Sequence, residues 1–91
     1  MSATAIIVIK IMPDSPQAPL KEIKASVQAF IEKNGGKGTT LEEQEVAFGL
    51  KAIILKSAVP EEKGSDFFES GITQIAHVSS VTIEDYRRAF G

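Results

Sequence analysis

Leu50 to Leu55 is a short apolar run broken only by Lys51, and a glycine, Gly49, stands immediately before it. A run of that length fits a buried strand better than a helix, which usually needs ten or more residues. Gly49 takes positive φ at no steric cost, so it is the natural turn point. Val46-Ala47 then ends one strand and Leu50 begins another. A hairpin in the middle of the chain leaves two similar blocks, one on each side.

The first block opens with a strand over Thr4 to Met12, rich in the β-branched residues that suit a pleated surface. Ala5, Ile7, Ile9 and Ile11 share one face, which is wholly apolar and belongs against helices. Ile6, Val8, Lys10 and Met12 share the other, which is half solvated. Pro13 to Gln17 form a loop. A helix follows, with Pro19 near its first turn, where a missing N–H costs little. Its apolar stripe is Leu20, Ile23, Val27, Phe30 and Ile31. Asn34-Gly35-Gly36 ends it in residues that tolerate the left-handed cap conformation.

Thr39 to Ala47 is a second strand, and its Glu42, Glu43, Gln44 and Glu45 are the profile of a charged sheet edge. Leu50 to Val59 is the third strand and central. Pro60 to Gly64 is a solvated connection. Ser65 is placed to cap a second helix, with Phe68, Ile72 and Ile75 as its buried stripe. Gly71 weakens that helix and lets it lie close to the sheet, and His77 closes it. Val78 to Tyr86 is the last strand, and Arg87 to Gly91 are a tail. The order β-α-β-β-α-β is the ferredoxin-like, α+β pattern: a four-stranded antiparallel sheet with two helices on one face.

The bulk numbers bound the function. A chain of 91 residues is expected to make a single domain, 1–91. A formal net charge of −2 argues against general nucleic-acid binding, which needs a basic face. No cysteine is present, so thiolate catalysis, cysteine metal sites and disulfides are excluded. The N-terminus lacks the basic region and cleavage site of a signal peptide, and no segment reaches the ~20 apolar residues of a membrane span. A soluble, cytoplasmic protein without membrane contact is the expectation.

Little here can carry chemistry. Gly35-Gly36-Lys37-Gly38-Thr39-Thr40 lacks the spacing of a phosphate loop and reads as a helix cap and loop. His77, the single histidine, reads as a helix-end residue. Alternation sends Glu43 and Glu45 to one face and Glu42 to the other; the series reads as a solvated edge, and without a cleft general acid–base catalysis has no support. No catalytic residue, metal site or cofactor is expected. Two features stand apart. Phe48, beside the turn glycine, either covers the sheet edge or is an exposed anchor for a partner. Glu84-Asp85-Tyr86-Arg87-Arg88-Ala89-Phe90-Gly91 gathers an arginine pair and two aromatics at the C-terminus, as a solvated strand end or as a contact.

Val46-Ala47-Phe48-Gly49-Leu50, Glu69-Ser70-Gly71-Ile72 and the closing Val78 to Arg88 resemble the translation elongation factor 1-beta family in its short archaeal form. Ile9-Lys10-Ile11-Met12-Pro13 resembles the family's first strand and turn, so the likeness spans essentially the whole chain. The resemblance implies a guanine-nucleotide exchange domain, not an enzyme, acting on the GDP-bound GTPase elongation factor 1-alpha. It implies partner contacts at Phe48 and Gly49 on the hairpin and at Asp85, Tyr86, Arg87 and Arg88 at the C-terminal end. In the family the C-terminal end reaches toward the partner's magnesium and nucleotide site; Arg88 stands where the eukaryotic relatives have a lysine near their end, and the chain continues past it through Ala89-Phe90-Gly91.

Two other functions share this fold class. A ferredoxin-like RNA-binding module would need aromatics on its central strands for stacking. The first and third strands carry none. A small regulatory domain that dimerises edge to edge and binds a metabolite would need an inviting edge, and the second strand is charged. Fold alone decides nothing between them.

Overall fold

The computed structural model describes residues 3–47 and 49–89. Its elements are β1 (Thr4–Pro13), α1 (Leu20–Lys33), β2 (Lys37–Ala47), β3 (Leu50–Pro60), a 3-10 turn (Glu61–Lys63), α2 (Ser65–Thr73) and β4 (Val78–Arg88). The strands form one sheet in the order β2-β3-β1-β4, every pair antiparallel. This is the expected ferredoxin-like arrangement, with the apolar β1 and β3 central and the charged β2 at an edge.

Alternation along β1 sorts the two faces. Ala5, Ile7, Ile9 and Ile11 are fully buried, and Ile53, Leu55 and Val59 of β3 lie beside them. Ile23, Val27 and Ile31 from α1 and Phe68 and Ile72 from α2 complete one core beneath the helices. Each such side chain contributes roughly 1.5–3 kcal/mol of burial free energy, so the fold rests on this layer. The opposite face carries Ile6, Val8, Lys10 and Met12 of β1 and Ile54 and Ala58 of β3, all half-buried. It holds no aromatic residue among these positions, which removes the stacking platform an RNA-binding sheet requires.

α1 ends as its sequence dictates. Gly35 takes φ 93°, its N–H donates to Glu32 O, and the Gly36 N–H donates to Ile31 O at 2.8 Å. That pair of bonds is a Schellman motif, which satisfies the last carbonyls of the helix.

Four local expectations need correction. α2 begins at Ser65 itself, with Gly64 before it and no side-chain cap, because Gly64 at φ 79° turns the chain there without one. α2 ends at Thr73, and His77 sits beyond it in a turn with φ 71°. Its carbonyl accepts the Asp14 N–H at 2.9 Å and its ring stands 3.8 Å from the Asp14 carboxylate, so His77 joins two loops. Gly71 makes room for the ring of Phe30 on α1, and not for the sheet. Finally, β4 runs on through Arg87 and Arg88, which pair with Ile6 and Ala5, so these two residues belong to the sheet.

Candidate functional site

The expected contact residues that are described lie on the β2–β3 hairpin and along the second half of β4. Pairing of β1 with β3 stops at Ile11↔Ile53, while β2 and β3 stay paired out to Ala47↔Leu50. The hairpin therefore extends past its neighbour as a two-stranded ribbon. A register shift between Glu45 and Ala47 leaves Val46 as the extra residue, and such a bulge sharpens the local twist. Val46 is 43% exposed, and Glu45, Ala47 and Gly49 are exposed with it. Gly49 has φ 80°, the conformation a side chain resists. A shallow hollow of about 130 Å³ lies among Glu45, Val46, Ala47, Gly49 and Leu50. Phe48 lies outside the described residues.

The C-terminal end of β4 lies at the other end. Arg88 is opposite Ala5, near the start of β1. β1 has 10 residues between the two ends, a span of about 33 Å at ~3.3 Å per residue. The molecule measures 44 × 20 × 19 Å along its principal axes. Gly49 and Arg88 thus lie toward opposite ends of a long body.

The second bulge sits in β4. The register shifts between Val8 and Ile9, so Glu84 is the unpaired residue between Ile83 and Asp85. The shift fixes the faces beyond it. Tyr86 pairs with Ile7 and packs half-buried against the core; Arg88, opposite Ala5, is on the same side. Asp85 and Arg87 lie on the open face, where Arg87 Nε donates to Asp85 Oδ2 at 2.8 Å. Arg88 makes a two-pronged contact, Nε to Glu61 Oε2 at 2.9 Å and Nη2 to Glu61 Oε1 at 2.5 Å. The Glu61 carboxylate, through its hydrogen bond and its charge, drives the Arg88 pKa up from its ordinary value. Glu61 is the residue the sequence does not announce, because it lies 27 positions from Arg88 in a solvated connection.

Nothing described resembles a catalytic centre. No group of three or more His, Asp and Glu residues could hold a metal ion among the described residues. A groove of about 450 Å³ on the open face, between Ile6, Thr40, Glu42 and Lys56, contains no nucleophile paired with a base. Glu43 and Glu42 point to opposite faces as their alternation requires: Glu43 accepts a bond from Lys24 of α1 at 2.6 Å, while Glu42 lines the groove.

Residues 6–89 match the EF-1 guanine nucleotide exchange domain family. The chain belongs to this family. An archaeal protein named Elongation factor 1-beta from Methanobrevibacter smithii is 37% identical over 81 residues, covering 88% of this chain and 90% of the relative. The protein of that name from Methanosarcina acetivorans is 36% identical over 81 residues, covering 87% and 91%. That from Halobacterium salinarum is 32% identical over 82 residues, covering 89% and 92%. Its role is guanine-nucleotide exchange in translation elongation, as the resemblance in its sequence implied. No helix among the described residues is long and apolar enough to cross a membrane.

Proposed function

We propose that this exchange domain promotes GDP release from elongation factor 1-alpha by gripping the GTPase at two separated places. The observation that carries the reading is the separation itself: an exposed hairpin ribbon at one end and an arginine-bearing strand end at the other. Phe48 and Gly49 make the contact at the hairpin. Asp85, Tyr86, Arg87 and Arg88 form the C-terminal contact, which reaches toward the partner's nucleotide and magnesium. A body that spans about 33 Å between its contacts can brace against one part of a GTPase while acting on another.

The physics is linkage. Exchange factor and GDP weaken each other's hold on the GTPase by one coupling free energy. Lowering the barrier to release by ~4 kcal/mol speeds it about a thousandfold. Moving positive charge into the neighbourhood of the β-phosphate's magnesium is enough, since the ion is the largest local charge. No covalent step is required, and one domain over 1–91 suffices, working in the cytoplasm without touching nucleic acid.

Release of labelled GDP from purified elongation factor 1-alpha, with and without this protein, tests the reading. Acceleration by substoichiometric amounts is expected, with no GTP hydrolysis by the protein alone. Unchanged release at a saturating dose with a matched partner refutes it.

A further inference from the structure

Arg87 and Arg88 are neighbours in sequence and opposites in the fold. Arg87 lies on the open face, its side chain 72% exposed, with one bond to a residue two positions away. Arg88 crosses toward the far side of β1 and meets Glu61 at the end of β3 with both prongs of its fork. On this side the start of β1 carries the small Ala5, with Ala3 just before the strand, so a long side chain can pass over.

Glu61 is the anchored member of the pair. Its N–H donates to Ala3 O at 2.9 Å, its residue opens the 3-10 turn, and its side chain is 25% exposed against 71% for Arg88. On the other flank of β1 the Ala89 N–H donates to Thr4 O at 2.8 Å. The start of β1 is thus held by the ends of β3 and β4, and the Arg88–Glu61 fork ties those two ends together. An exposed ion pair adds little to global stability. A planar two-pronged pair does fix direction, and it does so at the end of an edge strand, where chains ordinarily fray.

We propose that Glu61 is a positioning residue for nucleotide exchange: it holds Arg88 as a strap that aims the end of β4, so Arg88 acts through Glu61 and Arg87 is the guanidinium offered to the partner. The inference rests on the exchange reading above and revises one part of it: Arg88, counted there in the C-terminal contact, serves that contact by aiming the strand end through its fork to Glu61 and does not itself touch the partner. It assigns the arginine pair two jobs, and it requires arginine at 88, because lysine has no fork to make the paired bonds.

The test compares wild type, Glu61→Gln, Arg88→Gln and the charge swap Glu61→Arg with Arg88→Glu. For each, GDP release from the GTPase is measured as maximal rate and half-saturating concentration, beside thermal unfolding. Each single change is expected to lower the maximal rate about tenfold, with half-saturation moved less than about twofold. Unfolding temperatures should shift by only a few degrees, as for an exposed pair. The swap is expected to recover most of the rate, which a side chain contacting the partner directly would not allow. Wild-type rates for Glu61→Gln, or a swap no better than Arg88→Gln, overturn the strap while leaving exchange intact. An inactive wild type removes the exchange reading and the strap with it.

Discussion

Gly71 of α2 stands under the ring of Phe30 of α1, so close that a Cβ there would meet Phe30 Cε1 at 2.6 Å and Cε2 at 2.8 Å. Phe30 cannot swing aside freely. Its ring stacks on Phe67 at 5.8 Å and meets Phe68 edge-on at 6.2 Å, and Phe68 is fully buried. The glycine is the space that lets the two helices share this aromatic cluster.

Gly71→Ala should therefore destabilise the fold. In an ordinary helix the change gains about 1 kcal/mol. Here overpacking costs ~1–3 kcal/mol, and the cost wins. A net loss of ~1 kcal/mol lowers the melting temperature of a domain this size by roughly 4–8 °C. A thermal scan showing an increase would mean that the ring relocates at no cost.

Ser57 is the buried polar residue of the core layer, 1% exposed. Its hydroxyl pairs with Thr39 Oγ1 at 2.9 Å and donates to Lys37 O at 3.2 Å, which pins the start of β2 where the ladder shifts register. Ser57→Ala should cost ~1–2 kcal/mol, since it removes both bonds. Thr39→Ala should cost less, because it leaves the Lys37 bond in place. Denaturant unfolding of both single variants and the double variant should show that the costs do not add.

Glu43 gives the fold a pH-dependent contact. The Lys24 hydrogen bond and charge, with a smaller contribution from Lys51, hold its carboxyl below the ordinary value of 4.5. A depressed folded pKa stabilises the native state above the unfolded pKa, and the gain is lost as pH falls through the folded value. Wild type should thus lose its advantage over Glu43→Gln on acidification through the region below 4.5. Both partners are solvated, so added salt should shrink the difference at neutral pH. Denaturant midpoints at neutral and acid pH, with and without salt, check both statements.

Deleting Arg87 to Gly91 should disturb the fold as well as exchange. The deletion removes the Ile6↔Arg87 and Ala5↔Arg88 pairs, the Ala89–Thr4 bond and the fork to Glu61. With each net hydrogen bond worth ~0.5–1.5 kcal/mol, a loss on the order of 2 kcal/mol is expected. A melting curve that matches wild type would show that β4 is held without its last turns of ladder. Point substitutions are the cleaner probe of exchange at this end.

What the sequence made legible was what repeats locally. The alternation of Ile7, Ile9 and Ile11 predicts the buried face of β1, and Ile23, Val27 and Ile31 predict the stripe of α1, because both follow from one element's own period. Asn34-Gly35-Gly36 announces its cap for the same reason. The misses depend on distant partners. Two arginines read as a solvated tail until β1 is seen to extend beside them. Gly71 serves a ring on another helix, and His77 takes a left-handed conformation that only its junction with Asp14 explains. Glu61 and Arg88 meet through topology alone.

Phe48→Ala should separate binding from folding at the hairpin. Among the described residues the core cluster's members on β3 begin at Ile53, and Ala52 is the nearest fully buried side chain to the turn. Val46, Ala47 and Gly49 around it are exposed, on a ribbon that has left the shelter of β1. A phenylalanine serving the core would cost ~3–5 kcal/mol on truncation. Here the expected change in stability is within about 0.5 kcal/mol, as for a surface site. Affinity for the GTPase should fall by ~2 kcal/mol or more, the scale of an aromatic hot spot. The loss should appear mainly in the half-saturating concentration, in contrast to the Glu61 variants, whose deficit is in the maximal rate. Thermal unfolding and a binding titration on the one variant decide it: a melting temperature lowered by well over ten degrees, with affinity explained by the unfolded fraction, would assign Phe48 to the fold instead.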